Sequence, residues 1–353
     1  MQTFGGFFIA FIAVCLGAPL FRRFAVKQGI LDIPSHRKVH THPVPLFGGM
    51  AIFAGVLMAF LMYPESLRQL WVILAGAAVM LYMGALDDMK GLSAKLRIGI
   101  QLLVSALVIL AGNRVSFLPA TWWGNVAEFL VTMMWLVGVT NAFNYLDGLD
   151  GLASGSAVLN FFALFAILYG TNQFTLGLAC AIFAGACLGF LPHNFRRDNK
   201  MFLGDAGSMF LGFTLAGMAI VGNWANDNSV RLFIPILVMG VPIFDMIFTT
   251  IMRVKEQKVT NIVEWLRYGG KDHFHHYLVD LGLSRRGAVV FIYCLTCSLG
   301  LSAYMVSNDS VFEGILTLLQ ASIIFGVIGL LIVMGKKRRV SGWELDERRG
   351  AEL

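Results

Sequence analysis

The chain is short of charge. Only 14% of its 353 residues are Asp, Glu, Lys or Arg, against 57% hydrophobic, and the mean hydropathy is +0.73. A soluble domain of this length needs more charge on its surface. A P-loop and a Rossmann glycine pattern are also missing, so an ATP-driven or nicotinamide-linked reaction has no support. There is no linker, low-complexity tract or obvious internal repeat. Cysteines are few: Cys15, Cys180, Cys187, Cys294 and Cys297 all fall in apolar stretches. Cys294-x-x-Cys297 has redox spacing but no ligand near it in sequence, and reads as a pair of small buried residues.

What the chain has instead is long apolar runs. A membrane span takes about 20 mostly apolar residues. Eleven segments qualify: Phe4–Phe21, Leu46–Tyr63, Leu70–Leu86, Ile98–Gly112, Val126–Ala142, Leu152–Tyr169, Phe174–Leu191, Met201–Val221, Leu232–Met252, Ala288–Val306 and Gly314–Met334. Backbone amides in lipid must be satisfied within the segment, so all are predicted helical. The expected class is an all-α polytopic membrane protein, one domain over 1–353 with a long loop at 253–286. The first run has no basic stretch before it and no small-residue cleavage site after it, so it is expected to be a retained span. The odd-numbered loops and the C-terminal tail hold 24 of the 27 Lys and Arg residues; the other side holds Arg68, Arg114 and Arg231. The positive-inside rule then puts the odd loops and the C-terminus in the cytoplasm and the N-terminus outside. That asymmetry accounts for a pI of 9.1 without nucleic acid.

The unusual polar residues gather on that basic side: SHRKVHTHPVPLFGG at 35–49, LDDMKGLSAK at 86–95, NAFNYLDGLDGLASG at 141–155, HNFRRDNKMFLGDAGS at 193–208 and KDHFHHYLVDLG at 271–282. Asp87 and Asp88 are adjacent like charges that repel unless a cation sits between them, and Lys95 can face back toward them. Asn141, Asn144, Asp147 and Asp150 recur every third residue, with glycines that break the helix among them. Irregular, acid-rich backbone at membrane depth is tolerated where it lines a watery cavity. Amide and carboxylate oxygens are hard ligands suited to Mg²⁺ or Mn²⁺. Asp205, in a predicted span, is a functional candidate by default; Asp245 reads equally as structural or functional. In a helix over the His run, Phe274, Tyr277, Leu278 and Leu281 make an apolar face and leave His273, His276 and Asp280 more exposed. IVEWLRYGG (262–270) is amphipathic and is expected to lie along the membrane surface. A carboxylate-rich centre ringed by Lys38, Lys95, Arg196, Arg197 and the histidines describes phosphoryl transfer on a diphosphate. A secondary transporter is the rival from another class, but its site belongs at the midplane of a repeat interface.

With these residues in view the chain resembles the polyprenyl-phosphate N-acetylhexosamine-1-phosphate transferase family. RKVHTHPVPLFGG, LDDMKGLSAK, NAFNYLDGLDGLASG, FLGDAGSMFLGF, GVPIFDMIF and HFHHYLVDLGLSRR match in family order over nearly the whole length. The resemblance implies a multi-pass enzyme of the bacterial cytoplasmic membrane, working at the cytoplasmic face. The implied reaction moves GlcNAc-1-phosphate from UDP-GlcNAc to undecaprenyl phosphate and releases UMP; a homodimer stays open. It implies Mg²⁺ on Asp205 and Asn144, and Asp150 toward the uracil. It places Asp87, Asp88, Lys95 and Asp147 in catalysis, with Asp87 and Asp88 near the lipid phosphate. Asn141, Asn194, Lys38, His273, His275 and His276 are implied in substrate binding. The phospho-MurNAc-pentapeptide branch is the alternative; its uninterrupted His run differs from His-Phe-His-His here. Direct displacement and an aspartyl-phosphate route both remain open.

The orientation is testable. In a cysteine-free background, Ser35→Cys and Asn199→Cys should be shielded from impermeant thiol reagents in intact cells, and Ser229→Cys should react. Labelling of all three from outside would overturn the assignment.

Overall fold

The computed structural model describes residues 2–34, 42–225, 228–261, 264–265, 268, 270, 272–307 and 310–351, with backbone alone at 2, 228–229 and 337–351. Among these there are thirteen helices: α1 Gln2–Gln28, α2 Gly48–Met62, α3 Pro64–Lys90, α4 Ala94–Leu110, α5 Trp122–Leu146, α6 Leu152–Gly170, α7 Phe174–Phe195, α8 Gly204–Val221, α9 Asn228–Val238, α10 Gly240–Lys255, α11 Phe274–Asp280, α12 Arg285–Val306 and α13 Val311–Ala351. A two-stranded antiparallel patch, β1 Leu31–Asp32 with β2 Val44–Pro45, follows α1. The predicted surface segment 262–270 falls largely outside the described residues.

Every predicted span coincides with a helix or a helix pair, and the chain is an all-α, multi-pass membrane protein. Eight described helices are long and apolar enough to cross a bilayer. α2 and α4 are shorter, at 15 and 17 residues. The ninth predicted segment is no single helix: α9 and α10 meet at 74°. Pro242 has no N–H to return to the carbonyl four residues back, and Gly240 at the junction resists the bend least.

Burial orders the bundle. In α8, 83% of the membrane-length window is inside the protein, and in α7 78%, against 22% in α1 and 17% in α13. α8 is thus the central post, packed on α2, α3 and α5, while α1 and α13 turn most of their surface outward. Cys294 and Cys297 also point outward from α12, contrary to the expected burial; Cys180 and Cys187 are buried, and all five thiols are free. The α3–α8 contact is backbone-close. A Cβ on Gly84 would stand 2.5 Å from Ala206 Cα. Such an approach is how membrane helices gain dispersion contacts without a hydrophobic drive.

Local signals end and begin the helices near the polar loops. Ser93 accepts from Leu96 N–H and caps α4, and Ser284 caps α12 through Gly287 N–H. The segment before α8 is zipped onto the start of α2: Phe202 N–H donates to Pro45 O, and Gly48 and Gly49 N–H donate to Phe202 and Leu203 O, at 2.9–3.0 Å.

Gly84→Ala should cost about 1–3 kcal/mol, because backbone cannot move aside for the new methyl. Gly99, with no atom within 4 Å of its Cβ position, is the control. Gly99→Ala should melt at or above the parent temperature in detergent. Equal melting of the two variants would contradict the packing.

Candidate active site

All five odd-numbered loops meet at one end of the bundle, around a cavity of about 850 Å³. Its walls differ in charge. Asp87 and Asp88 from the end of α3, Asp147 and Asp150 from the loop after α5, and Asp205 from the start of α8 supply carboxylates. Arg196, Arg197 and Lys200 after α7, Arg285 and Arg286 at the start of α12, His276 on α11 and His42 before β2 supply the basic groups.

The α3–α8 junction builds the acidic wall. Asp88 Oδ1 and Oδ2 accept from Asp205 and Ala206 N–H at 2.9 and 3.1 Å, so Asp88 caps α8 from another helix. Gly204 makes this fit: its φ is +76°, and a Cβ there would lie 2.6 Å from Asp88 Oδ2. Asp87 accepts from Leu92 N–H at 2.6 Å and from Arg97 Nη1 at 2.7 Å. The same Nη1 lies 3.9 Å from Asp205 Oδ2. Asp87 is 7% exposed and Asp205 39%, so of these two Asp205 is the one open to a ligand. Lys95, expected to face these acids, is exposed and outside the cavity lining. Two positions on a helix differ by about 200°, and Arg97 takes the inward place.

The three-residue ladder rotates as it climbs. Each step of three turns a helix by about 300°, or −60°, so successive rungs face different neighbours. Asn141 Nδ2 donates to Gln101 Oε1 of α4 at 2.6 Å, away from the cavity. Asn144 Nδ2 lies 2.9 Å from both Asp205 Oδ1 and Ser208 Oγ. Asp147 lies beyond the helix end, in the cavity. Withdrawal from water pushes its carboxyl up to about 8, and the charges of Asp205 and Asp150 add to the shift. Asp150 pairs with Lys200 at the exposed rim. Asn194 lines the cavity but spends both arms on the fold, accepting from Gly151 N–H and donating to Met201 O.

The His run divides. His276 lines the cavity. His273, expected to be exposed, is buried: its ring stacks on Tyr145 at 4.8 Å, and Nδ1 sits 3.2 Å from Asp245 Oδ2 without hydrogen-bond alignment. His275 is 1% exposed, with neither ring nitrogen hydrogen-bonded among the described residues. Its Nε2 would be 2.1 Å from a Cβ on Gly148, so a side chain at 148 would have to displace that ring. Burial lowers the His275 pKa to about 3; the Asp245 charge opposes the shift, and His276 and His273 assist it. Lys38 lies outside the described residues. Arg97, Lys200, Arg285 and Arg286 were legible only as loop charge.

Among the described residues no three His, Cys, Asp or Glu side chains cluster closely enough to hold a metal alone. The donor chemistry fits a hard cation held by one or two protein oxygens and completed by substrate phosphates, as Mg²⁺ commonly is.

Known proteins resemble this chain over most of its length. The family described as Glycosyl transferase family 4 matches residues 70–223. A probable undecaprenyl-phosphate N-acetylglucosaminyl 1-phosphate transferase of Bacillus subtilis is 34% identical over 315 residues, covering 87% of this chain and 85% of that protein. An undecaprenyl-phosphate alpha-N-acetylglucosaminyl 1-phosphate transferase of Yersinia pestis is 31% identical over 280 residues, 77% of this chain and 75% of its own. A decaprenyl-phosphate N-acetylglucosaminephosphotransferase of Mycolicibacterium smegmatis is 30% identical over 308 residues, 77% and 74% respectively.

Burying a neutral imidazole has a pH signature. The folded His275 pKa lies below the unfolded value of about 6.5, so the unfolded chain binds the extra proton as pH falls and the native state loses ground. The window is pH 6.5 down to about 3. Between pH 6.5 and 5 this group alone should cost about 2 kcal/mol. His275→Gln should flatten the fall in melting temperature over that interval; an unchanged slope would contradict a buried, neutral His275.

Proposed function

We propose, since the chain belongs to the polyprenyl-phosphate N-acetylhexosamine-1-phosphate transferases of glycosyl transferase family 4, that it transfers GlcNAc-1-phosphate from UDP-GlcNAc to undecaprenyl phosphate and releases UMP. One observation carries the reading: a cavity at one end of a membrane-length bundle, with an acidic wall facing a basic one. Two phosphorylated substrates and a hard cation are the cargo for such a cavity. The loops that line it carry the positive-inside charge, which supports a site on the cytoplasmic face of the bacterial cytoplasmic membrane.

The acceptor is a phosphate monoester, whose second pKa is about 6, so it is largely dianionic at neutral pH and needs no strong base. Its oxygen attacks the β-phosphorus of the nucleotide sugar, the bond from that phosphorus to the bridging oxygen breaks, and UMP leaves with the electron pair. Arg196, Arg197, Lys200, Arg285, Arg286 and His276 offer donors to the phosphates along the basic wall. Arg97 holds Asp87 in place, and Asp88 fixes the start of α8 and with it Asp205. Asp150, at the rim beside Lys200, is the residue we assign to the nucleoside. Asp147 sits where it can carry a proton near neutral pH. Asp205 and Asn144 would hold Mg²⁺, which when bound neutralises charge developing on the diphosphate.

The test is UMP release by purified protein with undecaprenyl phosphate, Mg²⁺ and a panel of UDP-sugars. UDP-GlcNAc should be turned over and UDP-MurNAc-pentapeptide should not. Asp205→Asn should keep the parent melting temperature and lose at least about a hundredfold in rate, several kcal/mol of transition-state stabilisation. Turnover of the pentapeptide donor alone, or parental rates from well-folded Asp205→Asn, would refute the reading or its metal site respectively.

A further inference from the structure

His276 is the one histidine of its run to line the cavity among the described residues, and it stands on a helix of seven residues. A helix so short does not hold its own position; packing must supply it. We propose that Asp245 and Arg253, on one face of α10, are positioning residues for the transfer: they clamp residues 272–274 so that His276 reaches the phosphates of the nucleotide sugar. This rests on the transferase reading above.

Asp245, Thr249 and Arg253 are spaced by four and share one face of α10. All three are buried, Asp245 at 0% and Arg253 at 1% exposure. Charges so deep in an apolar helix are tolerated only when paired and hydrogen-bonded. Their partners are three successive residues at the start of α11. Arg253 donates through Nε and Nη2 to the two Asp272 oxygens at 2.9 and 2.8 Å, a bidentate pair. Its Nη2 is also 3.4 Å from His273 Nε2. Phe274 N–H donates to Asp245 Oδ1 at 2.6 Å, and the Thr249 hydroxyl lies 3.1 Å from both that oxygen and Asp272 O.

Phe274, the residue that interrupts the histidines, completes the clamp. It is fully buried and meets the Phe244 ring edge-on at 5.2 Å. With Phe274 inward and His273 stacked on Tyr145, the next turn presents His276 to the cavity. Neither Asp245 nor Arg253 lines the cavity, so their effect must pass through the residues they hold.

The experiment is a double-mutant cycle on the full-length enzyme, reading UMP release against UDP-GlcNAc and against undecaprenyl phosphate. Asp245→Asn, which keeps the shape and removes the charge, should lower kcat/KM for the donor about tenfold to a hundredfold, the scale of a small misplacement. KM for the lipid acceptor should not move. His276→Ala should lose at least as much. Asp245→Asn/His276→Ala should be no slower than His276→Ala alone, because the first residue acts through the second. Arg253→Lys should recover part of what Arg253→Ala loses. If Asp245→Asn fails to fold, Thr249→Val takes its place in the same cycle. Losses that multiply in the double variant, or that fall equally on the acceptor KM, overturn the inference while leaving an active transferase. A parent that releases no UMP overturns the transferase reading and the inference with it.

Discussion

The first amides of a helix have no partner inside it, and in a membrane they cannot turn to water. At α8 the solution comes from another helix: both oxygens of Asp88 take the amides of Asp205 and Ala206. That contact joins the end of α3 to the beginning of the central helix. It also settles where Asp205 stands, since Asp205 is itself one of the capped residues. Asn144, bonded to Asp205 and Ser208, brings α5 to the same point. Three helices therefore converge through the carboxylates of Asp88 and Asp205, two backbone amides and the Asn144 side chain, and the acidic wall follows from that convergence.

The apolar segments and the polar loops were legible because each is a local property: composition over about twenty residues, or a short run of unusual types. What sequence left hidden was direction. Asn141 and Asn144 look equivalent, yet one faces Gln101 and the other Asp205, because a spacing of three rotates on a helix. Lys95 and Arg97 look interchangeable beside Asp87 and Asp88, and only the capped turn at Ser93 decides that Arg97 points inward. His273 looked exposed on an isolated helix; burial came from α10 and Tyr145, which lie far away in sequence. The break between α9 and α10 was hidden as well, since a window of hydropathy does not register a missing amide at Pro242.

Charge is scarce in this chain, and its placement is correspondingly informative. Glu128, on the far end of α5 from the cavity, is consumed by the amides of Phe117 and Leu118 and shapes a loop. Asp245 and Arg253 organise α11. Asp87, Asp88, Asp147, Asp150 and Asp205 face the cavity together with Arg196, Arg197, Arg285 and Arg286, which are exposed. Glu128, Asp245 and Arg253 thus serve the fold, while Asp88 serves both the fold and the opening.

Gly84 lets α3 lie with its backbone against Ala206. Two helices in contact at that distance have no soft side chain between them to compress or relax. The spacing of the carboxylates at their ends is therefore stiff: mutual repulsion cannot be relieved by letting the helices drift apart. The electrostatic tension is held in the scaffold, so the carboxylates keep their separation whatever their charge.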